Sequence, residues 1–493
     1  MLYIGIDLGT SSVKAILMAS NGTIINTASK SYPIYYPKEG WSEQDPEDWH
    51  RAVWDCIKEL CKRVERSRIA GIGVSGQMHG LVVLDGYNNV IRRALLWNDG
   101  RASSQCDYLN TKIGRKHLVE MTGNIAFAGF TAPKLLWMKE NENESFQRIN
   151  KIMLPKDYIV FRLTGNHCSD YSDASGTLLL NVKEKKWSLE MLELCSVKEC
   201  HLPKLFESHE VVGTITNQVA KELDLPSSVL VVAGAADNAA SAVGVGVVGD
   251  GNCSISLGTS GTVLAPFSSY LNDGQGRLHV FAGADGGFYL MGCVLSAASS
   301  YKWWINEILK HDLGTTFPRK NVEQTACKRN LFFLPYLTGE RSPHNDPSAR
   351  GAFIGMSVRT TQEDMTFAVL EGVAFALRDS IEIARTNGLK IDCARLSGGG
   401  SKNDIWRNIL ANCLKIDIEV PLLADGGCFG SALLAAVGCG EFRDVKSAAN
   451  TLVNIKSKEK PDGEIVEQYE QSYKIYKTLY PSLKDVFKIM NPM

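Results

Sequence analysis

A four-residue echo is the feature that most limits what this chain can fold into. Leu8-Gly9-Thr10-Ser11 returns as Leu257-Gly258-Thr259-Ser260, each time after one apolar strand-like run and before another. Four identities carry little by themselves. Matched context on both sides is the mark of a duplicated domain, and internal repeats take precedence over local readings when a fold is assigned. The length agrees, since 493 residues exceed what one hydrophobic core ordinarily organises. A boundary is expected in the Gly/Val-rich stretch Gly244–Gly251, dividing the chain into residues 1–246 and 247–493.

Local signals fill in an α/β pattern. Leu2 to Asp7 and Val13 to Met18 read as strands around the first Gly-Thr-Ser turn, and Asn21-Gly22 is a hairpin turn into a third strand at Ile24. A three-stranded antiparallel meander results. Asp45-Pro46-Glu47-Asp48 then supplies a cap, a proline at the first helical position and acids against the helix dipole. Trp49, Ala52, Val53, Cys56, Ile57, Leu60 and Val64 recur at helical spacing behind it. Val229 to Val248 is apolar but broken by Asp237-Asn238 and by glycines, which suits a buried strand and turn better than a membrane span. Helices are expected at Gln362–Arg385, Lys402–Leu414 and Phe429–Val437, and the charged run Lys456–Glu467 reads as a solvated surface segment.

Charge excludes some functions. Lys+Arg 53 against Asp+Glu 54 leaves a net charge of -1, so no bulk field favours nucleic acid or an anionic membrane, and a small-molecule partner is expected. The N-terminus shows no signal-peptide pattern. Thirteen cysteines without a C-x-x-C pair, and nine histidines without metal-ligand spacing, read as a reduced cytoplasmic protein without structural metal.

Three glycine segments can meet a ligand. The two turns Gly9-Thr10-Ser11-Ser12 and Gly258-Thr259-Ser260-Gly261 offer backbone N–H groups and hydroxyls to an anionic phosphate chain. Either turn alone would only connect strands; paired across a duplication, they point to a nucleotide held in a cleft between halves. Lys14 is either an added charge there or an exposed strand residue. Gly398-Gly399-Gly400-Ser401 lies between a strand and a helix, and is neither a Walker A loop nor a dinucleotide fingerprint. Asp7 ends a buried strand, where its carboxylate needs Mg²⁺ or hydrogen bonds. Asp237 leaves an apolar strand and is placed either to accept a proton from a substrate hydroxyl or to cap the helix that follows. Met78-His79, Trp97-Asn98-Asp99 and Arg101 form a polar and aromatic set fit for sugar hydroxyls, with His79 by itself read more readily as a structural histidine.

Taken together these residues resemble the FGGY carbohydrate kinases of the actin–hexokinase–Hsp70 superfamily over nearly the whole chain. One long signature of that family is matched from Gly129-Phe130-Thr131 to Lys139-Glu140-Asn141, and a second from Gly351-Ala352-Phe353 to Val369-Leu370-Glu371. The resemblance implies two ribonuclease H-like domains with an interdomain cleft, residues 1–246 binding sugar and 247–493 binding nucleotide. Ser75-Gly76-Gln77-Met78-His79-Gly80, Leu96–Arg101, Leu154-Pro155-Lys156-Asp157-Tyr158 and Pro335–His344 look like the branch that phosphorylates D-xylulose. Glycerol-specific members carry Arg-Glu where this chain has Met78-His79.

By that resemblance Met78, His79, Asp237 and Asn238 contact the ketopentose, with Trp97 and Arg101 nearby, and Asp237 is the general base. Asp7 organises Mg²⁺. Gly9, Thr10, Ser11, Gly258, Thr259 and Ser260 meet the phosphates of ATP, and Gly399, Gly400, Ser401 and Asn403 face the adenosine. A homodimer is compatible with the family, and the sequence carries no interface signal of its own. Two departures stand out: Ala235-Ala236 replace common glycines, and Phe429 is expected to narrow the nucleotide end of the cleft. Other readings are a kinase of ribulose or another polyol, a non-kinase ATPase or switch of the same superfamily, and a silent sugar sensor.

Overall fold

The computed structural model describes residues 1–312, 330–423 and 425–490. The first half opens with the expected meander: β1 (Leu2–Leu8), β2 (Ser12–Ala19) and β3 (Ile24–Ser31) pair antiparallel in that order. β1 is apolar almost throughout because both of its faces are covered. Helix α1 (Pro46–Leu60) starts where the Asp45 side chain accepts the Glu47 N–H, and it buries Trp49, Val53, Cys56, Ile57 and Leu60 against this sheet. Strand β4 (Ile69–Gly76) adds parallel to β1. Beyond it come β5 (Val211–Thr214), β6 (Leu230–Val232) and the short β7 (Ala235–Ala236), in the order β5-β6-β4-β1-β2-β3 with β7 also on β4.

The second sheet contains β8 (Gly251–Leu257), β9 (Gly261–Phe267), β10 (His279–Ala282), β11 (Phe288–Val294), β12 (Ile391–Ser397), β13 (Asp417–Pro421) and β14 (Ile455–Glu459). Its order is β10-β11-β9-β8-β12-β13-β14. Counted outward from β1 and from β8, the two sheets repeat each other. Two antiparallel neighbours lie on one side (β2, β3; β9, β11), and two parallel ones on the other (β4, β6; β12, β13), each closed by an antiparallel edge (β5; β14). The echo in the sequence is therefore an architectural duplication. Register makes the comparison residue by residue: Asp7 faces Ser75 across β1–β4, and Ser256 faces Ser397 across β8–β12. One copy has a carboxylate where the other has a hydroxyl.

Helices cover the sheets, and some of them bear on the candidate site or the core. They are α2 (Thr131–Asn141), α3 (Pro155–Thr164), α4 (Asp237–Gly244), α5 (Gln362–Thr386), α6 (Asp404–Leu414), α7 (Gly426–Gly438) and α8 (Gly463–Met490). The long apolar run from Val229 thus resolves into β6, β7 and α4. Helix α7 belongs to the second half of the sequence yet lies on the first sheet. A Cβ placed at Gly5 or Gly73 would sit 2.0 Å from the Cys428 or Ser431 carbonyl. Only glycines on the strands admit that approach.

Two local expectations are corrected here. Phe429 does not narrow a nucleotide site; it is 1 % exposed in the apolar core shared by α4 and α7. The charged run from Lys456 is not simply solvated, because Ile455–Glu459 is the edge strand β14. Lys458 there pairs with Asp417 (2.7 Å) and Glu419 (3.3 Å) on β13. Alternating charge suits a strand at a sheet edge, where it discourages pairing with another chain. Among the described residues no helix is long and apolar enough to cross a membrane.

Candidate active site

The first Gly-Thr-Ser turn follows β1 directly, and Asp7 stands at its root. Ser75 Oγ donates to Asp7 Oδ1 (2.9 Å), while the other oxygen accepts no hydrogen bond among the described residues. Gly427, in the first turn of α7, presses against the same carboxylate: a Cβ there would lie 2.5 Å from Oδ2. Burial raises the Asp7 pKa, against the opposing pull of Ser75 and Lys14. Lys14 is an exposed residue of β2, and its Nζ lies 2.8 Å from Asp425 Oδ1, just ahead of α7.

Asp237 begins α4, near enough to Asp7 to feel its charge. Burial, and then the Asp7 charge, push its pKa up to about 7. It does not cap the helix. The cap position is Ala236, and Asp237 Oδ1 instead accepts the Asn238 N–H (2.7 Å) and its amide Nδ2 (2.9 Å). Oδ2 accepts nothing among the described residues, so one oxygen is open to a proton. Two partly buried carboxylates, one within reach of the other's charge, are served by a cation between or beside them. A site with few protein oxygens that borrows the rest from phosphate and water is what Mg²⁺ takes. The Asp7 oxygen left without a donor fits that ion, and among the described residues no larger cluster of metal-ligating side chains competes for it.

Met78 and His79 follow the end of β4, and Met78 meets Asn238. Asn238 Nδ2 lies 3.7 Å from Met78 Sδ. His79 adopts φ +70, uncommon for a residue with a side chain, and its ring stacks on Phe130 at 4.4 Å. Its Nδ1 lies 2.6 Å from the Gly176 carbonyl, which can only accept, so Nδ1 carries the proton and Nε2 is an acceptor. Burial holds the His79 pKa down to about 3, and the imidazole is neutral in ordinary buffers. Trp97 is exposed and donates from Nε1 to Thr10 Oγ1 (3.0 Å), which places it over the first turn.

Arg101 is elsewhere. Its buried guanidinium donates from Nε and Nη2 to Asp99 (both 2.8 Å), pairs with Glu43 (2.8 Å) and lies 3.8 Å over Trp41. The structure makes it a buried strut, because Asp99 and Glu43, buried with it, claim its charge.

The second turn and the third glycine segment come together. Gly398, at φ +81, lies so close to Leu257-Gly258 that a Cβ would be 2.6 Å from the Leu257 carbonyl. The Gly258 and Thr259 carbonyls accept the Ala298 (2.9 Å) and Ala297 (3.0 Å) N–H groups, which braces the turn with Ser260 on the start of the next helix. Gly399 is exposed and Gly400 buried. Ser401 Oγ turns back to the Gly398 carbonyl (2.7 Å), and Asn403 Oδ1 caps α6 by accepting the Trp406 N–H (3.1 Å). Thus Asn403 offers a ligand only its amide NH₂. In the first turn, Gly9 N–H closes on the Ser12 carbonyl (3.1 Å), and Ser11 is exposed.

Ser75, Gly176 and Gly427 escaped the sequence reading. Ser75-Gly76 did carry a signal, since the duplicate strand also ends in Ser-Gly (Ser397-Gly398). Gly427 carried none, because only the tertiary fold brings it to Asp7.

Residues 2–244 match the FGGY family of carbohydrate kinases, N-terminal domain, and residues 253–439 match the C-terminal domain of the same family. The chain therefore belongs to the FGGY family of carbohydrate kinases, and it is an ATP-dependent sugar kinase with the actin/hexokinase-like two-domain fold. Within the family it is similar to the xylulose kinase of Staphylococcus xylosus, 37 % identical over 97 % of this chain and 99 % of that one. It is also similar in structure to a ligand-bound xylulose kinase from Lactobacillus acidophilus (28 % identity, TM-score 0.93, covering 99 % of this chain and 100 % of that one). A gluconate kinase from the same organism is as close (28 % identity, TM-score 0.94, 100 % of both chains).

Proposed function

We propose that the chain transfers the γ-phosphoryl group of Mg·ATP to the terminal hydroxyl of D-xylulose, giving D-xylulose 5-phosphate and ADP. The observation that carries the chemistry is the meeting of Asp237, with one open oxygen and a pKa raised to about 7, and the sugar-side set Met78, His79 and Asn238. Support for the acceptor comes from the full-length likeness to xylulose kinases, since fold alone is shared with a gluconate kinase.

In this reading Asp237 Oδ2 takes the proton of the sugar hydroxyl as its oxygen bonds to phosphorus, and the bond from the γ-phosphorus to the ADP oxygen breaks. Neutral His79 accepts from a sugar hydroxyl through Nε2, and Asn238 holds the Asp237 carboxylate in place. Asp7 would hold Mg²⁺, which when bound neutralises phosphate charge. The turns at Gly9–Ser11 and Gly258–Ser260 cradle the phosphates, and Gly399–Ser401 with the Asn403 amide face the nucleoside. Residues 1–246 are then the sugar domain and 247–493 the nucleotide domain, with α7 returning to complete the Asp7 site. A switch protein of the superfamily has no use for the acceptor groups gathered at Asp237.

The test is Asp237→Ala. ATP binding should persist by calorimetry while transfer falls by about 10²–10⁴, the usual worth of a general base. Turnover near that of the parent would remove Asp237 from the chemistry.

A further inference from the structure

One short segment, residues 170–177, meets both His79 and the residue before Asp237. Asp170 is wholly buried, and its Oδ1 lies 3.0 Å from the ammonium of Lys156, a buried lysine on α3 that also binds Asp157 (2.6 Å). Asp170 Oδ2 accepts the Ser172 N–H (2.9 Å), the Ser172 hydroxyl and the Ser208 hydroxyl (2.7 Å). A serine hydroxyl has one proton, and this one is spent on Asp170. Ser172 Oγ is left as an acceptor, and it accepts the N–H of Ala236 at 3.0 Å. Ala236 is the residue before Asp237.

The rest of the segment reaches outward. Ser175 Oγ donates to the Ser172 carbonyl (2.6 Å) and accepts the Ala282 N–H of β10 (3.2 Å), in the second half of the molecule. Gly176 supplies the carbonyl that fixes the His79 tautomer. Backbone N–H groups at a helix start have no partner inside the helix, so what holds them sets the direction of the first residues. Here the holder is Ser172, and its polarity is dictated by the Lys156–Asp170 pair.

We propose that Ser172 is a positioning residue for phosphoryl transfer. It fixes the Ala236 amide, and through it the Asp237 carboxylate, in a segment that also orients His79 and meets the second half through Ser175. This rests on Asp237 being the proton acceptor. Lys156 and Asp170 anchor the arrangement and touch neither substrate. A displacement of about 1 Å at a reacting group costs roughly 10²-fold in rate, so a single lost hydrogen bond one residue away can show in kcat.

The experiment compares Ser172→Ala with Ser208→Ala in the full-length protein. Ser208→Ala also removes a donor from Asp170 Oδ2 but leaves Ala236 untouched, so it matches the structural damage alone. Initial rates with Mg·ATP and D-xylulose give kcat and both KM values, and thermal unfolding gives the midpoint. Ser172→Ala should lower kcat by about 10- to 100-fold with KM for ATP within about twofold, while Ser208→Ala keeps kcat within about threefold at a comparable shift in midpoint. Ser172→Cys, which keeps the atom at γ but accepts more weakly, should fall between, and it serves if the alanine variant does not fold. Parent-like kcat in Ser172→Ala or Ser172→Cys, or an equal loss in Ser208→Ala, would overturn the proposal. An inactive Asp237→Ala beside a parent-like Ser172→Ala removes only the positioning role, whereas an active Asp237→Ala removes the reading beneath it.

Discussion

Gly427→Ala tests the most unexpected contact of the site, the start of α7 against Asp7. The backbone at Gly427 lies outside the left-handed region, so alanine is conformationally acceptable there. Alanine also raises helix propensity by about 1 kcal/mol over glycine. The added Cβ, however, would stand 2.5 Å from Asp7 Oδ2 and 2.7 Å from Cγ. Ordinary contact is near 3.5 Å, so about 1 Å of overlap must be absorbed. The carboxylate is the softer partner, because α7 is locked by its close approach to Gly5 and Gly73. Asp7 must rotate away and loosen its bond from Ser75. We expect a folded protein whose midpoint stays within a few degrees of the parent and whose kcat falls about 10²-fold, read by coupled ADP release with Mg·ATP and D-xylulose. An alanine variant with kcat within about threefold of the parent would show that Asp7 need not stand where the structure puts it.

Two further outcomes follow from buried charge. Arg101→Ala takes the partner cation from the buried Asp99, while Glu43 keeps Arg92, so the variant should lose about 3–5 kcal/mol in urea unfolding; unchanged stability with a raised sugar KM would instead make Arg101 a ligand. Asp379 accepts the Tyr473 hydroxyl (2.6 Å), and burial pushes its pKa up to about 7, above its unfolded value. The stability of its neutral form is intact below the unfolded pKa and is lost as pH rises through about 7. Asp379→Asn keeps the acceptor without the charge, so its Tm relative to the parent should improve between about pH 5 and pH 8; a Tm difference that ignores pH would contradict the assignment.

Much of the fold was legible because its signals are local. The meander follows from apolar runs and Asn21-Gly22, α1 from Asp45-Pro46, and the duplication from two Gly-Thr-Ser turns in matching context. Of the candidate site, the placement of residues was legible where a strand end decides it: Asp7 lies at the end of β1, Asp237 opens α4 and the second turn follows β8. Legibility failed where a distant partner decides. Arg101 reads as a sugar ligand until Asp99 and Glu43 claim it, and Asn403 keeps only its amide for a ligand because the Trp406 N–H takes its oxygen. Phe429 lies on the α4–α7 contact that no local pattern reveals. β14 is hidden because charged alternation is common to solvated segments and to edge strands.

The acceptor is the most direct measure of the central claim. ADP release would be followed with Mg·ATP and, separately, D-xylulose, D-ribulose, L-ribulose, glycerol, gluconate and no sugar. The account predicts a kcat/KM highest for D-xylulose and little release in the empty control. Preference for gluconate or ribulose would keep the kinase and contradict the acceptor, and release indifferent to every sugar would contradict the kinase itself.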